Sequence, residues 1–225
     1  MLLRLASTIV LVPPALAAIW FGTPYFEAMV ILAALIATYE WCRVSMRKRA
    51  TEDAGGVHIG WFALGIGYIA LAVLSLIVLR ADADFGRAMV IILFVVVWAT
   101  DIGAYLVGRT FGGPKLAPAI SPNKTWSGAI GGLACGVGGA LLAARLLDVG
   151  FSPVTILIAA AIVSIASQLG DLFESWWKRV FGVKDSGGLI PGHGGILDRI
   201  DGVLLASPVA AAGHWVVQGG GVPWK

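Results

Sequence analysis

The sequence predicts an all-α integral membrane protein, a polytopic bundle of about seven transmembrane helices with a polar cavity that faces the cytoplasm. Of its 225 residues, 58% are hydrophobic and only 13% are charged, whereas a soluble domain is roughly 45–50% apolar and about 25% charged. The apolar residues form runs long enough to cross a bilayer, which takes about 20 residues. The ionisable residues within these runs lie mostly near the ends that are predicted to face the cytoplasm. This composition excludes a soluble globular protein and a disordered chain.

The predicted spans leave little chain for a separate soluble domain, so residues 1–225 are interpreted as a single transmembrane domain. Its parts are N-terminal spans within 1–97, a core at 98–205 that contains the polar motifs described below, and a last span at 202–219. We expect the first span to be retained rather than cleaved as a signal peptide. The spans are predicted at approximately residues 5–22, 25–42, 57–79, 86–108, 126–147, 152–174 and 202–219.

The 16 basic residues are unevenly distributed between the loops. With a cytoplasmic N-terminus, twelve of the 16 lie on the cytoplasmic side and four on the other. Because cytoplasmic loops are enriched in lysine and arginine, this split predicts an odd number of spans with the C-terminus outside. The basic residues at 43–49 are interpreted as a topology determinant that contacts anionic membrane lipids. Chemistry is expected in the two longer cytoplasmic loops, residues 109–125 and 175–201.

Asp101 lies within the fourth predicted span, where an ionised side chain needs a partner, a wet cavity or a function. It shares one helix face with Ala104, Tyr105 and Gly108. This face of small and polar residues is expected to point into the bundle. The alternative is that Asp101 is paired with a buried arginine or lysine.

The sixth predicted span carries the longest polar stripe. Its polar residues recur every three or four positions, and carboxylates become more frequent towards the cytoplasmic end. This gradient predicts a water-filled cavity open to the cytoplasm, although hydroxyl groups alone could also bond neighbouring helices. The stripe consists of Ser164, Ser167, Gln168, Asp171, Glu174, Ser175 and Lys178.

The loop at 175–201 combines glycines, basic residues and carboxylates. Glycine lets backbone amides approach an anion, basic side chains supply charge, and carboxylates can hold a cation against phosphates. This combination predicts a metal–polyphosphate site, although Asp198 or Asp201 could instead cap the helix that begins there. The candidate residues are Ser175, Lys178, Arg179, Lys184, Asp185, His193, Gly194, Gly195, Asp198, Arg199 and Asp201.

The loop at 109–125 ends at the start of the fifth predicted span. Ser121, Lys124, Thr125 and Ser127 surround this helix start, where free amides and the positive end of the helix favour an anion such as phosphate. An ordinary serine- or threonine-capped helix is the alternative. The Walker A pattern is absent from the sequence.

Taken together, these residues resemble the phosphatidate cytidylyltransferase (CDP-diacylglycerol synthase) family of integral membrane enzymes. The family pattern is Ser, two residues, Lys-Arg, four residues, Lys-Asp, then Pro-x-His-Gly-Gly, two residues and Asp-Arg-x-Asp. The sequence fills this pattern without a gap between Ser175 and Asp201, and similar features occur at Asp101–Tyr105, Ser121–Thr125 and Gly170–Asp171. The resemblance covers roughly residues 98–205.

The resemblance implies transfer of CMP from CTP to phosphatidate in a homodimer of helical subunits, supported by Mg²⁺, with a second cation as an option. The expected location is a bacterial inner membrane, with membrane lipids but no nucleic acid as partners, and the distribution of basic residues places the active site on the cytoplasmic side. Asp171, Asp201 and Asp198 are the expected metal ligands. The expected phosphate-binding residues are Lys124, Lys178, Arg179, Lys184 and Arg199, and Asp101 would line the same cavity.

Three alternatives remain open. A CTP-dependent lipid or polyprenol kinase would use similar residues but transfer the terminal phosphoryl group. An ion-coupled transporter would also place carboxylates in the membrane, but its motifs are not expected to concentrate on one side. A catalytically inactive structural subunit is disfavoured because the charged residues are costly in lipid.

Overall fold

The computed structural model describes residues 13–47, 58–188 and 194–217, and these residues form helices and one small hairpin. Residues 13–21 form α1. The following six helices are each long and apolar enough to cross a membrane, which agrees with an integral membrane protein. These are α2 (Tyr25–Ser45), α3 (His58–Ala81), α4 (Gly86–Phe111), α5 (Trp126–Leu146), α6 (Pro153–Val180) and α7 (Leu197–Val217).

The six long helices occupy the second to seventh predicted spans. Of the first predicted span, residues 5–12 lie outside the described residues and 13–21 are helical. Two predicted boundaries are wrong, since α6 continues to Val180 and α7 begins at Leu197. Hydropathy marks only the apolar part of a helix, whereas these polar turns form ion pairs such as Lys178 with Asp198. The residues predicted in a loop therefore belong in part to helices.

The chain divides into two compact units. The first comprises the described parts of Met1–Leu74 and Glu174–Asp201. Aromatic rings form its core, where Trp41 stacks on Trp177 with ring centroids 4.0 Å apart and planes inclined by 7°. The indole N–H of Trp41 donates to the carbonyl oxygen of Trp61 at 2.8 Å. Gly65 leaves the room for this arrangement, because a Cβ there would overlap the Trp41 ring.

The second unit comprises the described parts of Ser75–Phe173 and Gly202–Lys225. Glycines bring α4 and α5 close together, as small residues do between membrane helices. A Cβ at Gly132 would lie 2.7 Å from the carbonyl oxygen of Thr100. The hydroxyl groups of Thr100 and Ser164 are hydrogen-bonded at 2.8 Å, which ties α4 to α6 within this buried region.

A β-hairpin links α4 to α5 within the loop predicted at 109–125. Its strands are β1 (Lys115–Ala117) and β2 (Ser121–Thr125), which pair antiparallel. Gly112 and Gly113 turn the chain out of α4 at φ +60° and +103°, values that favour glycine. Thr125 caps α5 by accepting a hydrogen bond from the amide of Gly128 at 3.1 Å. The capped helix start considered from the sequence is thus present.

Asp82 holds the turn that precedes α4. Asp82 accepts a hydrogen bond from the amide of Phe85 at 2.7 Å and lies 3.1 Å from the ring nitrogen of His214 in α7. Both side chains are buried. This polar contact lies at the start of α4, whereas the hairpin follows the other end of the same helix.

Candidate active site

The hairpin and the neighbouring ends of α4, α5 and α6 enclose a cavity of about 540 Å³ in the second unit, here called the hairpin pocket. It brings together the predicted residues Asp101, Lys124, Thr125 and Asp171. Ser121 is not among the lining residues and instead pairs with Ala117 in the hairpin. Polar lining residues outside the predicted site set are Tyr105, Arg109, Lys115, Asn123 and Gln168.

An ion pair lines the hairpin pocket. The ammonium nitrogen of Lys124 is 2.5 Å from a carboxylate oxygen of Asp171, which joins the hairpin to α6. The two side chains are 27% and 29% exposed, so a ligand in the pocket can reach both of them. A basic group and a carboxylate at this distance can bind a phosphate and a cation side by side.

Arg109 adds a second positive charge to the hairpin pocket. Its guanidinium donates a hydrogen bond to the Tyr105 hydroxyl at 2.7 Å and lies 5.9 Å from the centre of that ring. The two residues are one helical turn apart on α4, and both are exposed. Because arginine presents several donors in a plane, Arg109 is suited to bind phosphate oxygens while Tyr105 orients it.

A second polar group lies in the first unit and is called the Lys178 cluster, comprising Glu174, Lys178, Ser186, Gly195 and Asp198. The ammonium nitrogen of Lys178 is 2.7 Å from an oxygen of Asp198 and 3.1 Å from an oxygen of Glu174. Asp198 also accepts hydrogen bonds from the amides of Ser186 and Gly195, at 3.0 and 2.9 Å. The carboxylate of Asp198 is therefore bound on both oxygens by groups of the protein.

Glu40 is a residue of this region that the sequence interpretation missed. It lies within α2 and is only 3% exposed. Its carboxylate accepts hydrogen bonds from the amides of Ile196 and Leu197 and from the hydroxyl of Ser186. The criterion that singled out Asp101, an ionisable residue within an apolar span, could also have identified Glu40.

Among the described residues, no group of three or more histidine, cysteine, aspartate or glutamate side chains is arranged to hold a metal ion. A site built from one or two carboxylates remains compatible with this finding, because Mg²⁺ commonly takes further ligands from substrate phosphates and water.

Comparison with known proteins identifies the family. Residues 57–217 match the model described as the cytidylyltransferase family. The chain belongs to this family. The match includes every residue from Ser175 to Asp201 that carries the sequence resemblance, so the resemblance is confirmed.

Relatives of this cytidylyltransferase-family chain bear the name phosphatidate cytidylyltransferase. The protein of Brucella suis is 57% identical over 149 residues, which are 66% of this chain and 54% of the relative. The Rickettsia bellii protein is 37% identical over 220 residues, covering 92% of this chain and 87% of the relative. The Staphylococcus haemolyticus protein is 35% identical over 203 residues, covering 90% and 74%. The matched region spans about half the length of the Brucella relatives.

The other predicted site residues differ in their exposure. Lys184, Asp185 and Arg199 are exposed, whereas Ser175 and Asp201 are half-buried. Arg179 is exposed and donates to the carbonyl oxygen of Val183 at 3.0 Å. Gly194 has φ +79° and lies against Asp198. His193 lies outside the described residues.

Proposed function

We propose that this chain is a phosphatidate cytidylyltransferase, which transfers CMP from CTP to phosphatidate and forms CDP-diacylglycerol and pyrophosphate. The observation that carries the proposal is the half-exposed pair of Lys124 and Asp171 in the hairpin pocket of a cytidylyltransferase-family chain. Arg109 lines the same pocket. With Lys115, the pocket thus offers three positive charges for phosphates, and Asp101 and Asp171 offer carboxylates for a cation.

In the proposed reaction, a phosphate oxygen of phosphatidate attacks the α-phosphorus of CTP. The bond from this phosphorus to the oxygen bridging the α- and β-phosphates breaks, and pyrophosphate leaves with that electron pair. Phosphate monoesters have a second pKa of about 6, so the attacking oxygen is already ionised at neutral pH. No general base is required, and the protein is left with binding, alignment and charge compensation.

Charge compensation is assigned to the basic residues of the site. Lys124 and Arg109 are proposed to bind CTP phosphates in the hairpin pocket. His193 is proposed to bind or position phosphate rather than to abstract a proton. Lys178, Arg179, Lys184 and Arg199 remain candidates for binding CTP or the phosphatidate headgroup.

Mg²⁺ is the proposed cofactor. Asp171 fits it, because Mg²⁺ prefers oxygen ligands and this carboxylate is partly exposed in a polar pocket. The substrate phosphates would supply further ligands to the same ion. When bound, Mg²⁺ supplies positive charge that polarises the phosphates and stabilises the leaving pyrophosphate. Asp201 stays a candidate ligand, and a second cation stays a prediction.

We assign Asp198 a different role from the metal ligand expected from the sequence. Its oxygens accept hydrogen bonds from Lys178 and from the amides of Ser186 and Gly195. A carboxylate bound in this way orients the lysine ammonium and fixes the start of α7. Asp198 is therefore proposed to position Lys178.

We further propose that the cavity faces the cytoplasm of a bacterial inner membrane, with the C-terminus outside and with membrane lipids as partners. The distribution of the basic residues supports this orientation. A homodimer is proposed from the family resemblance.

Product analysis of the purified chain tests the proposed activity. With CTP, phosphatidate and Mg²⁺, we expect CDP-diacylglycerol and pyrophosphate in equal amounts. Asp171→Asn is expected to lower turnover at least 100-fold, whereas Asp84→Asn changes an exposed carboxylate outside the pocket and serves as the matched control. Formation of CDP and a phosphorylated lipid would instead indicate a kinase. Full turnover by Asp171→Asn would contradict the role of this carboxylate.

A further inference from the structure

Glu40 places a carboxylate where the last helix begins. Its oxygens accept hydrogen bonds from the amide of Leu197 at 2.9 Å, the amide of Ile196 at 3.1 Å and the hydroxyl of Ser186 at 3.2 Å. The side chain comes from α2, more than 140 positions earlier in the sequence. Its burial is compensated by these three donors, because a buried carboxylate without partners is strongly disfavoured.

The two amides bound by Glu40 belong to the start of α7. The first amides of a helix have no partner within the helix, and the positive end of the helix dipole favours an anion there. A capping residue of the same segment usually supplies the acceptor. Here Glu40 supplies it from another helix, so a side chain of α2 caps the start of α7.

Glu40 and Asp198 share the donors of the segment between α6 and α7. Ser186 donates its amide to Asp198 and its hydroxyl to Glu40. Gly195 donates its amide to Asp198, and the next two amides donate to Glu40. Because Asp198 in turn binds the ammonium group of Lys178, the position of this lysine depends on the segment that Glu40 holds.

Two glycines make room for the Glu40 carboxylate. A Cβ at Gly187 or at Gly195 would overlap one of its oxygens. The nearest atoms to a Cβ at Gly187 are all from Glu40. A Cβ at the neighbouring Gly188 would have no atom within 4 Å, so this position offers a matched control.

We infer that Glu40 is a positioning residue. It holds Ser186, Ile196 and Leu197 in place and thereby aligns Asp198 and Lys178 for cytidylyl transfer. This inference rests on the proposed function. Gly195 was expected to bind a substrate phosphate, but its amide donates to Asp198 instead.

The test compares Glu40→Gln, Glu40→Asp, Gly187→Ala and Gly188→Ala in the purified full chain. Cytidylyl transfer gives kcat and the KM for CTP, and hydrogen exchange reports on the amides of Ile196 and Leu197. Glu40→Gln is expected to lower kcat at least 10-fold, to change KM less than 3-fold and to accelerate exchange at both amides at least 10-fold. Glu40→Asp, which retains the charge, is expected to recover part of kcat.

Gly187→Ala is expected to lower kcat as Glu40→Gln does, while Gly188→Ala retains wild-type kcat. This pair decides the question even where Glu40→Gln does not fold. Wild-type kcat in Glu40→Gln, or faster exchange without loss of kcat, would overturn the positioning role. Unchanged exchange would overturn the capping of α7. A wild-type chain that forms no CDP-lipid would refute the proposed function separately, and exchange would still decide whether Glu40 holds this segment.

Discussion

Lys124 is the residue whose role is most directly accessible to measurement. It is 2.5 Å from Asp171, is partly exposed and lines the hairpin pocket. A hydrogen bond to a charged group contributes roughly 1.5–3 kcal/mol. Lys124→Gln is therefore expected to raise the KM for CTP about 10-fold or more.

Steady-state kinetics at saturating phosphatidate measures this effect. Arg145→Gln removes an exposed charge near the end of α5, outside the pocket lining, and is expected to leave KM unchanged. An unchanged KM in Lys124→Gln would mean that this lysine does not bind the nucleotide.

His193 separates phosphate binding from base catalysis. The attacking phosphate is already ionised at neutral pH, so loss of a phosphate-binding group should cost less than loss of a base. His193→Gln is expected to retain about 10% or more of wild-type turnover, whereas base catalysis contributes typically 10²–10⁴-fold. Turnover under saturating substrates measures this, and a loss beyond 100-fold would argue for proton abstraction.

At the residue scale, the sequence predicts polar side chains that interrupt apolar spans but not their partners. Asp101 and Asp171 are recognisable in this way, and both line the hairpin pocket. The pairing of Glu40 with Ile196 and Leu197 depends on which helices become neighbours, and neither hydropathy nor motif spacing shows this. The hydrogen bonds from the amides of Ser186 and Gly195 to Asp198 likewise form only in the folded chain.

At the element scale, the contact of α4 with α5 depends on glycine. A Cβ at Gly132 would lie 2.7 Å from the carbonyl oxygen of Thr100, and backbone cannot move aside as a flexible side chain does. Gly132→Ala is expected to destabilise the protein by about 1–3 kcal/mol, as overpacking does. Gly138 lies on the same helix with no atom within 4 Å of an added Cβ, so Gly138→Ala is the control.

Thermal unfolding in one detergent compares the two variants. A lower melting temperature is expected for Gly132→Ala and a wild-type value, or a slight increase, for Gly138→Ala. Equal melting temperatures would show that close approach of α4 and α5 does not limit stability.

The elements themselves are largely predictable, but their ends are not. Runs of apolar residues locate the six long helices, because lipid requires about 20 such residues for each span. The polar ends of α6 and α7 are missed, since Lys178 and Asp198 form an ion pair that hydropathy does not detect. The hairpin at 115–125 is missed because its short strands contain proline and little apolar alternation.

At the scale of the whole molecule, the orientation proposed from the basic residues can be tested with single cysteines. Ala119 is exposed in the turn of the hairpin, and Ala83 is exposed between α3 and α4. In a chain lacking Cys42 and Cys135, we expect a membrane-impermeant maleimide to label Ala83→Cys on intact cells. Ala119→Cys should be labelled only after the membrane is opened. The opposite pattern would place the hairpin pocket outside the cytoplasm.

The central claim, cytidylyl transfer, is tested most directly by following two labels. Purified protein is supplied with phosphatidate, Mg²⁺ and CTP labelled at either the α-phosphate or the γ-phosphate, and the lipid phase is counted. For cytidylyl transfer, we expect the α-label to enter the lipid and the γ-label to leave as pyrophosphate. Entry of the γ-label into the lipid, with release of CDP, would contradict it and identify a lipid kinase.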